Sequence, residues 1–147
     1  MNRLDYIEEL GTEIFQANML IHSKLINFQT MAKVCDLPPS HIKMLFFLKK
    51  SGEKTMGDLA KLMEVSKPNV TPIVDRLMAD GLVARKEGEK DRRKLLVFIT
   101  KEGEAFIHEL HEKAKVQMGL VLEVLSKEDL QKLYEAAVNL TEILRKL

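Results

Sequence analysis

The chain of 147 residues is 46% hydrophobic and 31% charged, with 7 glycines, 4 prolines and a formal net charge of +1. That composition provides for one domain or two very small ones around an apolar core, and it excludes disorder, collagen-like repeats and low-complexity tracts. A single cysteine excludes an internal disulfide and a C-x-x-C metal pair; no apolar run approaches the ~20 residues of a membrane span.

The opening stretch, Met1 to Glu9, carries Asp5, Glu8 and Glu9 and no apolar centre, so no export signal is expected and the protein is expected to be soluble, cytoplasmic and mostly helical. The charge is unevenly spread. Residues 1–35 hold 3 basic and 4 acidic side chains, residues 36–100 hold 13 and 9, and residues 101–147 hold 7 and 9. A basic centre between mildly acidic flanks suits a phosphate backbone, although an excess of this size also occurs in ordinary solvated domains.

From Leu4 to Cys35 there is no proline, and Ile7, Ile14, Ile21, Phe28 and Cys35 recur every seven residues with Leu10, Ala17 and Met31 between them. This apolar stripe predicts a long helix that packs along another helix. Pro38-Pro39 ends it. A second helix starts near Pro39, carries Ile42, Met44, Leu45, Phe46, Phe47 and Leu48, and closes at Ser51-Gly52. Thr55 and Asp58 form a capping-box pattern before a short helix with Leu59, Ala60, Leu62 and Met63. Val65 is the hinge and Ser66 the next N-cap candidate. Val70, Ile73, Val74 and Leu77 then share one face of a helix whose C-cap signal is Gly81.

The period next changes to extended. Leu82 to Lys86 and Lys94 to Ile99 are predicted strands joined by the polar loop Glu87 to Arg93, which makes a hairpin with a solvent-exposed tip. Thr100 caps a long helix, Lys101 to Leu125. Ser126 starts a last helix with Leu130, Leu133, Ala137, Leu140, Leu144 and Leu147 at steps of three and four. Helix, short turn, helix and hairpin is the order of a helix-turn-helix with a wing.

In that order, Ser66-Lys67-Pro68-Asn69-Val70-Thr71-Pro72-Ile73-Val74-Asp75-Arg76-Leu77, then Asp80-Gly81-Leu82-Val83-Ala84-Arg85, then Asp91-Arg92-Arg93 running on to Ile99-Thr100 resemble the MarR family of bacterial and archaeal transcription regulators. The last stretch is similar to the family's wing signature, Asp-x-Arg followed by a strand and a Leu/Ile-Thr pair, and the likeness extends to the long first and last helices. The resemblance implies a mainly α (α+β) fold: a winged helix-turn-helix DNA-binding domain at 36–100, flanked by dimerisation helices at 1–35 and 101–147. It implies a homodimer that binds a palindromic operator on double-stranded DNA and regulates transcription, as a repressor, with a small phenolic or aromatic anion as a possible effector held between the dimer helices and the DNA-binding lobe. The residues agree. Three amphipathic flanking helices carry more apolar seam than one small core covers, and a two-fold contact would bury it; a bundle within one chain is the alternative.

With Val70, Ile73, Val74 and Leu77 inward at 100° per residue, the outer side of that helix is centred on Pro68, Thr71, Pro72, Asp75 and Ala79. Asn69 is the candidate for an adenine contact, and the Thr71 methyl and the proline rings suit thymine methyls. Lys67 and Arg76, at the edges, suit phosphates, and Ser66 suits a cap beside a phosphate. Pro72 is awkward. With Ser66 as N-cap it falls inside the helix; with Asn69 as cap it falls in the first turn. The wing supplies Arg85, Lys86, Lys90, Arg92, Arg93 and Lys94. The resemblance implies that Arg93 enters the minor groove with Asp91 orienting its guanidinium. Asp75 would repel phosphates unless paired, so a wing arginine is expected to partner it.

Other chemistry is less well supported. Cys35, in an apolar heptad position, reads as a small buried hydrophobe rather than a peroxide-reactive thiol. His108 and His111 are three apart and His22 and His41 are the other histidines, and solvated histidines are the expectation over a metal site. No cofactor is implied. No Gly-rich phosphate loop, nucleophile elbow or carboxylate pair suggests an enzyme. A metal- or redox-sensing regulator of the same fold and a helical interaction module that no longer binds DNA are the alternatives.

Overall fold

The computed structural model describes residues 2–26 and 35–147. The chain divides into two compact units, Met1–Ile26 with Lys115–Leu147, and Asn27–Ala114.

In the first unit, α1 (Arg3–Leu20) begins on a capping box: the Asn2 side chain accepts the N–H groups of Leu4 and Asp5 at 2.8 and 3.0 Å, and Asp5 accepts that of Asn2 at 3.3 Å. A π-helical turn, Ile21–Leu25, follows, and Ile26 is extended with φ −123° and ψ 94°. The unbroken helix expected from Leu4 to Cys35 therefore stops short at Leu25. The wide turn closes with the Ile26 N–H on the Ile21 carbonyl at 2.9 Å, a bond that shifts the register without any proline or glycine to announce it. Phe28 and Met31 of the expected stripe lie outside the described residues. The last helix, α6 (Lys127–Leu144), starts on Ser126, whose hydroxyl accepts the Asp129 N–H at 3.0 Å. Neither α1 nor α6 contains a buried residue; Ile7, Leu10 and Ile14 on one and Leu133, Leu140 and Leu144 on the other stay exposed in the single chain.

The second unit holds α2 (Pro39–Ser51), β1 (Lys54–Thr55), α3 (Met56–Met63), α4 (Lys67–Ala79), β2 (Val83–Glu87), β3 (Leu95–Ile99) and the first half of α5 (Lys101–Leu122). Pro39 opens α2, where its missing N–H costs nothing, and Gly52 at φ +74° ends it. Ile42, Met44, Leu45 and Leu48 of α2, Leu59 of α3, Val70, Val74 and Leu77 of α4 and Val97 of β3 are the most deeply buried side chains, joined by Ile107 and Leu110 of α5. Each such side chain contributes about 1.5–3 kcal/mol of transfer free energy. Cys35 is half-buried and packs against this cluster.

The sheet has the order β1-β3-β2, antiparallel throughout, with Val83 opposite Ile99 and Glu87 opposite Leu95. The two-residue strand β1, which pairs Lys54 with Val97 and Thr55 with Leu96, was not expected. So short an element has no alternation to detect, and it exists only because β3 offers an edge.

One joint fixes the hairpin to α5. The Thr100 hydroxyl donates to the Gly81 carbonyl at 2.6 Å and accepts the Gly103 N–H at 3.0 Å, while the Thr100 N–H donates to the Leu82 carbonyl at 3.1 Å. Gly103 is buried, and a Cβ there would run into the Leu82 carbonyl oxygen and the Ile99 side chain. Gly103→Ala is expected to lower the unfolding free energy in urea by about 2 kcal/mol. Gly119→Ala on the same helix, where a Cβ meets nothing within 4 Å, should not lower it.

Candidate nucleic-acid interface

Two elements of the second unit carry the expected site: α4 with the turn before it, and the loop between β2 and β3. The turn forms because α3 ends on Glu64 in the left-handed region, φ +55°, with the Val65 N–H on the Ala60 carbonyl at 3.0 Å. α4 then starts at Lys67 with Ser66 as N-cap, and Pro72 lies inside it. The choice left open by the sequence is thus resolved towards Ser66. The cap is made by backbone alone. Ser66's side chain makes no capping bond, because Pro68 has no N–H to offer and the Asn69 N–H is taken by the Ser66 carbonyl at 3.0 Å. Gly81, at φ +73°, closes the far end with the Leu82 N–H on the Leu77 carbonyl at 2.9 Å.

Val70, Val74 and Leu77 are fully buried and Ile73 half-buried, so Lys67, Pro68, Asn69, Thr71, Pro72, Asp75 and Arg76 all lie exposed. The Thr71 hydroxyl donates to the Lys67 carbonyl at 3.2 Å. The stem of Lys67 passes Gly57 of α3, where a Cβ would stand 3.2 Å from Lys67 Cε. Arg76 does not hang free. Its Nε donates to Asp80 at 2.9 Å, and Nη2 reaches the Asp36 carbonyl at 3.3 Å and the Asp36 carboxylate at 3.9 Å. The guanidinium that the sequence placed on a phosphate ties the start of α2's lead-in to the end of α4.

The expected partner for Asp75 is present. Arg85 Nη2 donates to Asp75 Oδ1 at 2.9 Å, and Arg85 Nε is buried without an acceptor among the described residues. Arg85 is therefore spent on α4 and half-buried. Lys86 lies 5.4 Å from the Phe98 ring centroid and pairs with Glu53; the Glu53 hydrogen bond, with the Glu53 and Glu89 charges, raises its pKa against the effect of desolvation.

The loop is closed by backbone. The Gly88 N–H donates to the Lys94 carbonyl at 2.8 Å and the Lys94 N–H to the Asp91 carbonyl at 3.1 Å. Asp91 Oδ1 accepts the backbone N–H of Arg93 at 3.0 Å, so the carboxylate acts on the loop's own backbone and not, as the resemblance implies, on the guanidinium. Gly88 is buried, and a Cβ there would meet the Asp91 carbonyl oxygen at 2.7 Å. The sequence marked it only as part of a polar loop, although it is the one glycine there. Among the described residues, Lys90, Arg92, Arg93 and Lys94 at this tip have no ion-pair partner, and all four are exposed.

A match to the MarR family model covers residues 36–94, from the lead-in of α2 to the end of the wing loop. The HTH-type transcriptional regulator YfiV of Bacillus subtilis is 33% identical over 109 residues, which span 74% of this chain and 68% of YfiV. The chain belongs to the MarR family. The HTH-type transcriptional repressor MdtR of Bacillus subtilis is 34% identical over 92 residues, 63% of this chain and 59% of MdtR. A MarR family protein from Bacillus stearothermophilus has the same fold, with a TM-score of 0.66 at 24% identity over 99% of both chains. This MarR-family chain is a transcriptional regulator with a DNA-binding winged helix-turn-helix; its family is one of regulators and not of enzymes. No described helix is long and apolar enough to cross a membrane, and no three described His, Cys, Asp or Glu side chains gather as for a metal ion.

Between α2 and α5 lies an open hollow of about 390 Å³ lined by Phe46, Lys49, Lys50, Ile107 and His111. On α2, His41 is half-buried, with Nδ1 3.1 Å from the Ser40 hydroxyl. Burial, and then the Arg76 charge, hold its pKa below the usual 6.5 against the opposing pull of Asp80. The unfolded chain thus takes up this proton first as pH falls. Stability from this group is complete above about 6.5 and declines below it. Urea unfolding at about pH 7.5 and 5.5 is expected to show a loss at the lower pH that His41→Gln reduces.

Proposed function

We propose that this protein is a homodimeric repressor that binds a palindromic operator on double-stranded DNA, with α4 in the major groove and the β2–β3 loop in the adjacent minor groove. The observation that carries this reading is the loop tip: Lys90, Arg92 and Arg93 project from a backbone-closed turn with no acidic partner among the described residues, on the same core against which α4 packs. A narrow minor groove attracts such cations. In this reading Asn69, Thr71 and Pro68 meet base edges, and Lys67 with the Ser66 backbone meets phosphate. Arg93 enters the minor groove, flanked by Lys90 and Arg92. Asp91 sets the loop. Arg85 and Arg76 hold Asp75 and Asp36, and position the reading elements instead of touching the DNA.

The exposed apolar faces of α1 and α6 support the dimer. Leucines and isoleucines at Ile7, Leu10, Leu133 and Leu140 are 38–51% exposed in the single chain, and a two-fold contact is the economical way to cover them. MdtR is named a repressor, which supports the direction of regulation. The hollow between α2 and α5 suits a small aromatic anion, with Phe46 and Ile107 against a ring and Lys49 or Lys50 on a carboxylate; such an effector would release the operator.

Arg93→Ala is expected to weaken binding to the operator at least about tenfold and to reduce the salt slope by about one, measured by fluorescence anisotropy at several salt concentrations. Sedimentation should give the mass of two chains. A one-chain mass together with an unchanged Arg93→Ala affinity would overturn the proposal.

A further inference from the structure

The outward side of α4 is chemically unusual for a helix that reads DNA. Burial of Val70, Val74 and Leu77 fixes its rotation, and at 100° per residue this leaves Pro68, Pro72, Asp75 and Ala79 outermost with Thr71 beside them. Neither proline has an N–H to give. The Thr71 hydroxyl is already donated to the Lys67 carbonyl at 3.2 Å, so Thr71 has no donor left for a ligand and offers its methyl group and an acceptor oxygen. The commonest specific contact to DNA, an arginine on guanine O6 and N7, would need Arg76, which stands at the edge of this face with Nε and Nη2 already bonded to Asp80 and Asp36. Asp75, the acceptor that would favour cytosine N4, is held by Arg85 at 2.9 Å. The single exposed side chain on this part of the helix that presents a donor and an acceptor in one plane is Asn69.

An apolar, donor-poor face of this kind has one complement in the major groove, the 5-methyl group of thymine, and an asparagine has one preferred base, adenine. We infer that α4 reads A·T-rich half-sites, with the Pro68 and Pro72 rings and the Thr71 methyl packed on thymine methyls and Asn69 bonded to an adenine. This rests on α4 being the major-groove helix and adds what it recognises there.

The test uses the full-length protein and a pool of random duplexes. A selected duplex is resynthesised with deoxyuridine for every thymidine in its half-sites, which keeps the base pairing and removes the methyl groups. Half-sites dominated by A·T pairs are expected, and the uracil duplex should bind about fourfold more weakly for each methyl contacted, at least about tenfold over two half-sites. Uracil outside the half-sites should change nothing, and Thr71→Ser should shrink the difference between the thymine and uracil duplexes. Half-sites dominated by G·C, or equal affinity for the two duplexes, would overturn the inference while leaving DNA binding intact. Recovery of no duplex at all would overturn the DNA-binding reading and this inference with it.

Discussion

The locked rotation of α4 governs the rest of the second unit. Val70, Val74 and Leu77 have no exposed surface, and they meet α2, α3 and the hairpin in one cluster with Ile42, Leu45 and Leu59. Turning the helix by one residue would bring Asp75 into that cluster in place of Val74. Burying an unpaired carboxylate is costly enough to forbid it. The hydrophobic core thus determines which side chains of α4 face outward.

The charged contacts around α4 refine this arrangement more than they stabilise it. Asp75 with Arg85 and Arg76 with Asp80 are partly solvated pairs, worth at most about 1 kcal/mol each. Their larger effect is subtraction. Each pair removes a charge from a surface that would otherwise repel or grasp phosphate without regard to sequence. What remains is divided in space, with apolar and amide groups on the outer side of the helix, Lys67 at its start, and further cations on the loop. Thr100 holds these two parts together, because its hydroxyl and N–H bond to the residues that end α4 and begin α5.

Much of this arrangement is legible in the sequence where a local signal coincides with the tertiary outcome. The face Val70, Ile73, Val74 and Leu77, the capping box at Thr55 and Asp58, the stop at Gly52 and the Asp75 partnership with a wing arginine all follow from period, cap or charge. The misses share a cause as well. β1 is made by its neighbour and has no pattern of its own. The break at Ile26 arises from a π turn, which leaves no compositional mark. Ser66 is the residue type that usually caps with its side chain, but Pro68 and the Asn69 bond leave its hydroxyl nothing to hold. Asp91 sits in a motif suggestive of a side-chain clamp, whereas aspartate two residues before an N–H more readily bends the local chain. A helix wheel shows where the Arg76 side chain starts and cannot show the Asp36 carbonyl forty residues away in the chain.

The buried glycine at the root of the wing has a further consequence. Gly88 and Lys94 close the loop through main-chain atoms, and Asp91 braces it through a main-chain N–H. The side chains at Glu89, Lys90, Arg92 and Arg93 take no part in that closure. Substitutions at those positions can alter the electrostatic reach of the tip while the hairpin beneath keeps its register. Selection is therefore free to change the charge of the tip at almost no expense in folding, with Gly88 as the position that must not change.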